Sequence, residues 1–274
     1  MRFIIILLEI ILPVLYFGTI WAYARAFFRG LRRAENAKTP LLLVTLILHA
    51  FYIVARTSVF GHPPITSVYE ILSLIAFTIT LVYAYIEMRT RNSSTGYFIL
   101  MLPFFFQLIS SLLIREVSDI PPMLQSNLLG FHVSSAFLGY AAITISAVYG
   151  FLYLMLYHDI KSKQFGVIYK RLPNLETLER MSFTATVFGF FLLTIAIIVG
   201  VIWLPRAIEN FTYSDPKLIG TAAIWFVYAA GLTAKQIIGW QGRRMMILSV
   251  FGFALALVSM TIINMFFTQF HKFY

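Results

Sequence analysis

Apolar runs long enough to cross a lipid bilayer recur from one end of this 274-residue chain to the other. A hydrocarbon core of ~30 Å takes about 20 residues at 1.5 Å rise per residue. Runs near that length occupy roughly 3–25, 39–56, 67–88, 97–114, 128–157, 182–204, 218–238 and 245–267. Charged, Pro- or Gly-containing breaks separate them, and none of these breaks has room for a soluble domain. The runs are continuously apolar rather than alternating. In lipid every backbone polar group must be paired within its own segment, so the runs predict helices and not a barrel. The expected fold is all-α: a polytopic transmembrane bundle of about eight helices, making a single integral membrane domain over 1–274. Only 12% of residues are charged, about half of what a soluble domain needs to keep its surface hydrated.

The formal net charge of +10 would suggest nucleic acid in a soluble protein, but the positions of the charges point elsewhere. Lys and Arg favour cytoplasmic segments. With the start of the chain placed outside, the inner segments hold Arg25, Arg29, Arg32, Arg33, Lys38, Arg89, Arg91, Lys161, Lys163, Lys170, Arg171, Arg180, Lys235, Arg243 and Arg244, which is 15 of the 21 basic residues. The outer side holds the remaining six: Arg2, Arg56, Arg115, Arg206, Lys217 and Lys272. Both termini are therefore expected to be extracytoplasmic, and the partner implied is membrane lipid, with no nucleic acid. Because the basic cluster follows the first apolar run, that run reads as a retained helix rather than a cleaved signal. The longest inner segment, His158 to Met181, is either a surface-lying amphipathic helix or a solvated connector. The absence of Cys removes disulfide chemistry and thiolate metal sites, so any thiol would come from a partner.

This topology sorts the five histidines by depth. His62, His132 and His271 fall at the outer face, His49 near mid-membrane and His158 at the inner face. His132 opens the fifth helix and His271 follows the eighth, so packing those helices together brings two imidazoles to one outer pocket. Two neutral imidazoles from facing helices can hold a heme axially; outer-face histidines can equally be plain interfacial residues. After His132, the small residues Ser135, Gly139, Ala142, Ser146 and Gly150 recur at helical spacing, a stripe that suits either close helix packing or a cofactor groove. His49 is costly at mid-membrane and either bonds a neighbouring helix, ligates or relays protons. Glu9 and Glu70 raise the same question, with Arg56 as a partner for Glu70. No HExxH, GxSxG or Walker loop occurs, so self-contained hydrolytic or nucleotide chemistry is not expected.

Ordered motifs narrow this further. Gly61-His62-Pro63-Pro64-Ile65-Thr66-Ser67-Val68-Tyr69-Glu70 resembles the GHxPxSxxYE segment of the cytochrome c assembly family, the CcsA/ResC proteins and their HemX-like relatives. Phe131 to Ser135 with Gly139-Tyr140-Ala141-Ala142 is similar to its HVxxxxxGYAA helix, and Leu172 to Arg180 to its LPSLExLdR connector. Asp215-Pro216-Lys217, Gly239 to Arg244 and Phe270 to Tyr274 match its DPK, GWRGRR and terminal LHSY elements. The resemblance covers about 60–274. It implies that His132 and His271 ligate heme b, transiently bound, on the extracytoplasmic face of the bacterial inner (cytoplasmic) membrane. It further implies that His62 lines the same mouth, and that Asp215, Lys217 and Arg206 contact propionates or a partner.

Two departures stand out. Residues 205–217 keep the DPK end but none of the tryptophans of the family's WWD loop, and Thr233 stands where synthetase members carry a membrane-embedded histidine. Both losses resemble the HemX-like branch, which is associated with heme biosynthesis and glutamyl-tRNA reductase levels. Three functions follow. The first is a heme-handling protein of cytochrome c assembly, working with a CcsB/ResB-type membrane partner and apocytochrome c, and at most one subunit of a heme-attachment complex. The second is a HemX-like regulator acting on a soluble heme-biosynthesis enzyme. The third is a small-molecule or ion transporter using His49, Glu9 and Glu70.

Overall fold

In a computed structural model the chain is helical, with no strand among the described residues, which are 2–114, 127–163, 165–207 and 212–259. The helices are α1 (Arg2–Ala24), α2 (Arg32–Phe60), α3 (Val68–Thr90), α4 (Gly96–Leu113), α5 (Asn127–Lys161), α6 (Val167–Arg171), α7 (Leu175–Ala207), α8 (Pro216–Thr233) and α9 (Arg243–Val258). Seven of them are long and apolar enough to span a membrane. The eighth expected span, 245–267, coincides with α9 as far as the described residues extend.

The exterior is unlike that of a soluble protein. On α1 the exposed side chains are Phe3, Ile6, Ile10, Val14, Phe17 and Trp21, an apolar stripe at three-to-four spacing, while Tyr16 and Thr19 on the opposite face are buried. Water would penalise such an exterior, whereas lipid does not. The molecule is a multi-pass membrane protein.

The chain divides into two compact units, one of α1 to α4 and one of α5 to α9. In the first, α1 packs on α2 and α4, and α3 on α4; Ile5, Leu8, Leu12, Tyr52 and Ala55 form an apolar core near the start of α1. In the second, α5 lies along α7 and α9, and α8 joins α9 around Ile143, Leu193, Ile224, Tyr228 and Ala256.

Several ends differ from the sequence expectation for local reasons. α7 starts at Leu175 rather than near 182, because Asn174 caps it: its side-chain oxygen accepts the Thr177 N–H at 2.9 Å. The inner segment is therefore neither one surface helix nor one connector but the end of α5, the five-residue α6 and the first two turns of α7. α1 and α8 each finish in a π-helical turn, Arg25–Arg29 and Ala234–Ile238, closed by Gly30 and Gly239 in the left-handed conformation.

Candidate functional site

His132 sits in the second turn of α5, against α7 running antiparallel to it. Its Nδ1 lies 2.8 Å from the carbonyl oxygen of Ala196. A carbonyl only accepts, so Nδ1 must carry the proton. That fixes the tautomer and leaves the lone pair on Nε2, the arrangement found in metal-ligating histidines whose other nitrogen is held by a backbone carbonyl. Room for the ring comes from Gly200, one turn further along α7, where an added Cβ would lie 3.0 Å from the ring's Cε1 and 3.1 Å from Nδ1.

Lys217 stands in the first turn of α8, within electrostatic range of His132. It is placed by the local sequence: Asp215 Oδ1 accepts the Lys217 N–H at 2.8 Å as the N-cap of α8, and Pro216 takes the first helical position. Asp215 is 2% exposed, so one of its oxygens is committed to holding the helix start. Of the expected ligand set, the structure brings together His132, Lys217 and Asp215. His271 lies outside the described residues, as does the side chain of Arg206, which stands in the last turn of α7.

His62 belongs to the other unit, in the segment between α2 and α3. It is buried, and its Nδ1 lies 2.8 Å from the Pro63 carbonyl, which again places the proton there. The following residues tie that segment to the helices. The Ser67 hydroxyl accepts the Glu70 N–H, and the Glu70 carboxylate reaches back to the N–H and hydroxyl of Thr66 at 2.8 and 2.6 Å, a variant of the capping box. The same carboxylate pairs with Arg56 at 2.9 Å, and Arg56 also reaches Glu9 at 3.1 Å. The ion pair expected between Glu70 and Arg56 is thus formed, with Glu9 as a third member.

His49 is fully buried with both nitrogens occupied, Nδ1 by Tyr16 Oη at 2.9 Å and Nε2 by Ser73 Oγ at 3.0 Å. It bonds neighbouring helices and offers no free nitrogen to a metal. The small-residue stripe on α5 is likewise filled by protein. Leu193 of α7 closes on Gly139, the α9 backbone at Met246 closes on Gly150, and the Ser146 hydroxyl meets those of Ser182, Thr186 and Ser249 at 3.0, 2.6 and 2.8 Å. Close helix packing, not a cofactor groove, explains these three positions. Thr233 is exposed at the end of α8, and His158 is exposed at the far end of α5 from His132.

The sequence reading missed the α7 positions Ala196 and Gly200. An acceptor carbonyl leaves no trace in a sequence, but a glycine inside an apolar helix was a usable signal of close approach.

The fold and this geometry define a class: a polytopic helical membrane protein presenting an oriented imidazole beside a lysine. Residues 36–271 match the family described as Cytochrome C assembly protein, and the chain belongs to that family. It is similar to the protein named Cytochrome c biogenesis protein CcsA from Trieres chinensis, at 27% identity over 88% of this chain and 87% of that one. The CcsA of Prochlorococcus marinus is 28% identical over 82% and 81% of the two chains. Protein HemX of Bacillus subtilis is 26% identical over 84% of each.

Proposed function

We propose that this chain handles heme b during cytochrome c biogenesis, presenting it at the extracytoplasmic face of the bacterial inner membrane. The observation that carries the reading is the Nδ1–H to Ala196 bond, which leaves His132 Nε2 unprotonated and able to hold the iron of a bound heme. His271 is the second ligand in this proposal. Lys217, held by the Asp215 cap, supplies positive charge for a propionate, and Arg206 is the second cation assigned to that contact. The positive-inside distribution supports an outer position for this end of α5, α7 and α8. Bound heme supplies vinyl groups that react with thiols while its iron is reduced. The chain's own residues orient and neutralise it, and since the chain has no Cys, the thiols belong to an apocytochrome c partner brought by a CcsB/ResB-type protein.

Protein purified from heme-sufficient cells is expected to show a bis-histidine Soret band. Substituting His132→Ala together with His271→Ala should abolish it, and His158→Ala should leave it intact. An unchanged spectrum in the double variant removes the ligand assignment.

The likeness to HemX, together with a 205–217 segment that has no tryptophan, favours a second reading: a membrane regulator acting through its basic inner segments on a soluble heme-biosynthesis enzyme. Deleting the gene separates the two. Loss of c-type cytochromes supports assembly, and raised glutamyl-tRNA reductase supports regulation.

A further inference from the structure

The α1–α4 unit carries a feature that heme handling does not use, a seam of polar side chains through its inside. On α3 the seam consists of Glu70, Ser73, Thr80, Tyr83 and Glu87, all buried on one helical face with a single gap at Ala76. Tyr16 of α1 fills that gap, its hydroxyl 3.5 Å from the Ala76 carbonyl, 3.0 Å from Thr80 Oγ1 and 2.9 Å from His49 Nδ1. On α2, Thr45, His49, Tyr52 and Arg56 continue the seam; on α1, Glu9, Tyr16, Thr19 and Tyr23 do so. Thr19 and Thr45 meet at 2.9 Å. Nearly every step along a helix is three or four residues, about one 5.4 Å turn, and the longer ones are spanned by side chains from the neighbouring helices.

At the end nearest the Arg25–Arg33 cluster, the Glu87 carboxylate accepts hydroxyl bonds from Tyr23, Tyr83 and Thr39 at 2.6, 2.7 and 2.6 Å. Among the described residues no Lys or Arg pairs with it. At the opposite end stand Glu9, Tyr52, Arg56 and Glu70, already linked to one another. The centre has one polarity. Ser73 must donate to Gln107 Oε1 at 2.9 Å, so its oxygen takes the proton of His49 Nε2, and His49 Nδ1 accepts from Tyr16. Two buried hydroxyls, Thr95 Oγ1 and Ser110 Oγ, have no partner. Thr95 precedes Gly96, where an added Cβ would run into Tyr83 Oη beside Glu87, and Ser110 adjoins Ser111, which receives the Gln107 amide. An unpartnered buried hydroxyl is costly, and each of these two can bond a further polar group beside the seam.

Helix adhesion in lipid is served by Ser, Thr, Asn, Gln and His side chains. It does not call for carboxylates at both ends of a seam with an imidazole between them, a combination that characterises proton relays. We propose that this four-helix unit conducts protons between its two ends, with Glu87 the loading group, His49 the central relay and the Glu70–Glu9 pair the exit. Hydronium protonates the Glu87 carboxylate and leaves as water. Glu87 then gives that proton up toward the centre, where it replaces the one Thr80 passes to Tyr16 as Tyr16 protonates His49 Nδ1. The Nε2–H bond breaks as its proton goes to Ser73 Oγ, and Ser73 turns from Gln107 to release its own hydroxyl proton toward Glu70, one turn away on α3, so each group that gains a proton loses one. The proton then leaves from the Glu70–Glu9 end to water.

The test is proton flux into neutral-lipid vesicles containing the full chain, driven by a potassium gradient with valinomycin and read by an internal pH dye. Wild type should exceed protein-free vesicles several-fold. His49→Leu, Glu87→Gln and Tyr16→Phe should each fall at least tenfold toward the protein-free rate, and the lipid-facing Ile47→Ala should not change. If His49→Leu fails to insert, Tyr16→Phe and Glu87→Gln decide the matter, since both keep the shape of the side chain. Wild-type flux equal to protein-free vesicles, or undiminished flux in Tyr16→Phe and Glu87→Gln, overturns the proposal. His132→Ala with His271→Ala should leave the flux intact, so failure of the heme reading and failure of this one are separately visible.

Discussion

A valine at position 200 would put branched carbons where a single Cβ already meets the His132 ring at 3.0 Å. The ring must then turn away from Ala196, losing the bond that fixes its tautomer. Gly200→Val is therefore expected to weaken heme binding at least tenfold in titrations, with helical content unchanged by circular dichroism; unchanged affinity would show that the α7 contact does not orient the ring. Arg56 poses the opposite case, a buried cation serving two carboxylates. Arg56→Met removes the cation that Glu70 and Glu9 share, a loss of about 3–5 kcal/mol by comparison with broken buried pairs, measurable as a lower melting temperature in detergent. His49 is the residue whose surroundings were hardest to foresee. Its depth was legible from the hydrophobic run around it, but its partners come from α1 and α3, and pairing across helices leaves no periodic mark.

At the scale of elements, helix starts were the least legible feature and the easiest to explain afterwards. α8 begins at the Asp215-Pro216 signal, and removing the cap by Asp215→Ala should cost about 1 kcal/mol while loosening Lys217, seen as lower thermal stability together with weaker heme retention. The α8–α9 turn depends on Gly242, at φ +60° and with the Tyr153 hydroxyl 2.9 Å from where a Cβ would be. Gly242→Ala combines backbone strain with that clash, and a drop in folded yield is the expected readout. The inner segment of 158–181 was ambiguous between surface helix and connector because its apolar and basic residues fit either. The Asn174 cap and the Glu179–Lys235 pair at 3.2 Å decide for a longer α7.

For the whole molecule, the sidedness of the bundle rests on the distribution of basic residues, and a chain without Cys makes it directly measurable. Single Ser162→Cys and Ser214→Cys variants, both at exposed positions, should react with a membrane-impermeant maleimide from opposite sides. Ser214→Cys should be labelled in intact cells, and Ser162→Cys only after the membrane is opened. Labelling of both from one side would invert or break the eight-span topology and, with it, the extracytoplasmic placement of His132.

The amino-acid sequence determined the helical, multi-pass architecture unaided, because in lipid the length and continuity of an apolar run leave a backbone no alternative to pairing within its own helix. It also determined the family, since the motifs around His62, His132, Asp215 and Gly239 sit in order along one chain. Tertiary structure alone decided which side chains are satisfied and which remain available: His49 is closed by Tyr16 and Ser73, the α5 stripe is filled by α7 and α9, and His132 is held through one nitrogen by Ala196. These outcomes depend on hydrogen bonds between residues tens of positions apart. Their geometry is set by how helices pack, and packing among equally apolar surfaces is not written in any one helix's own pattern.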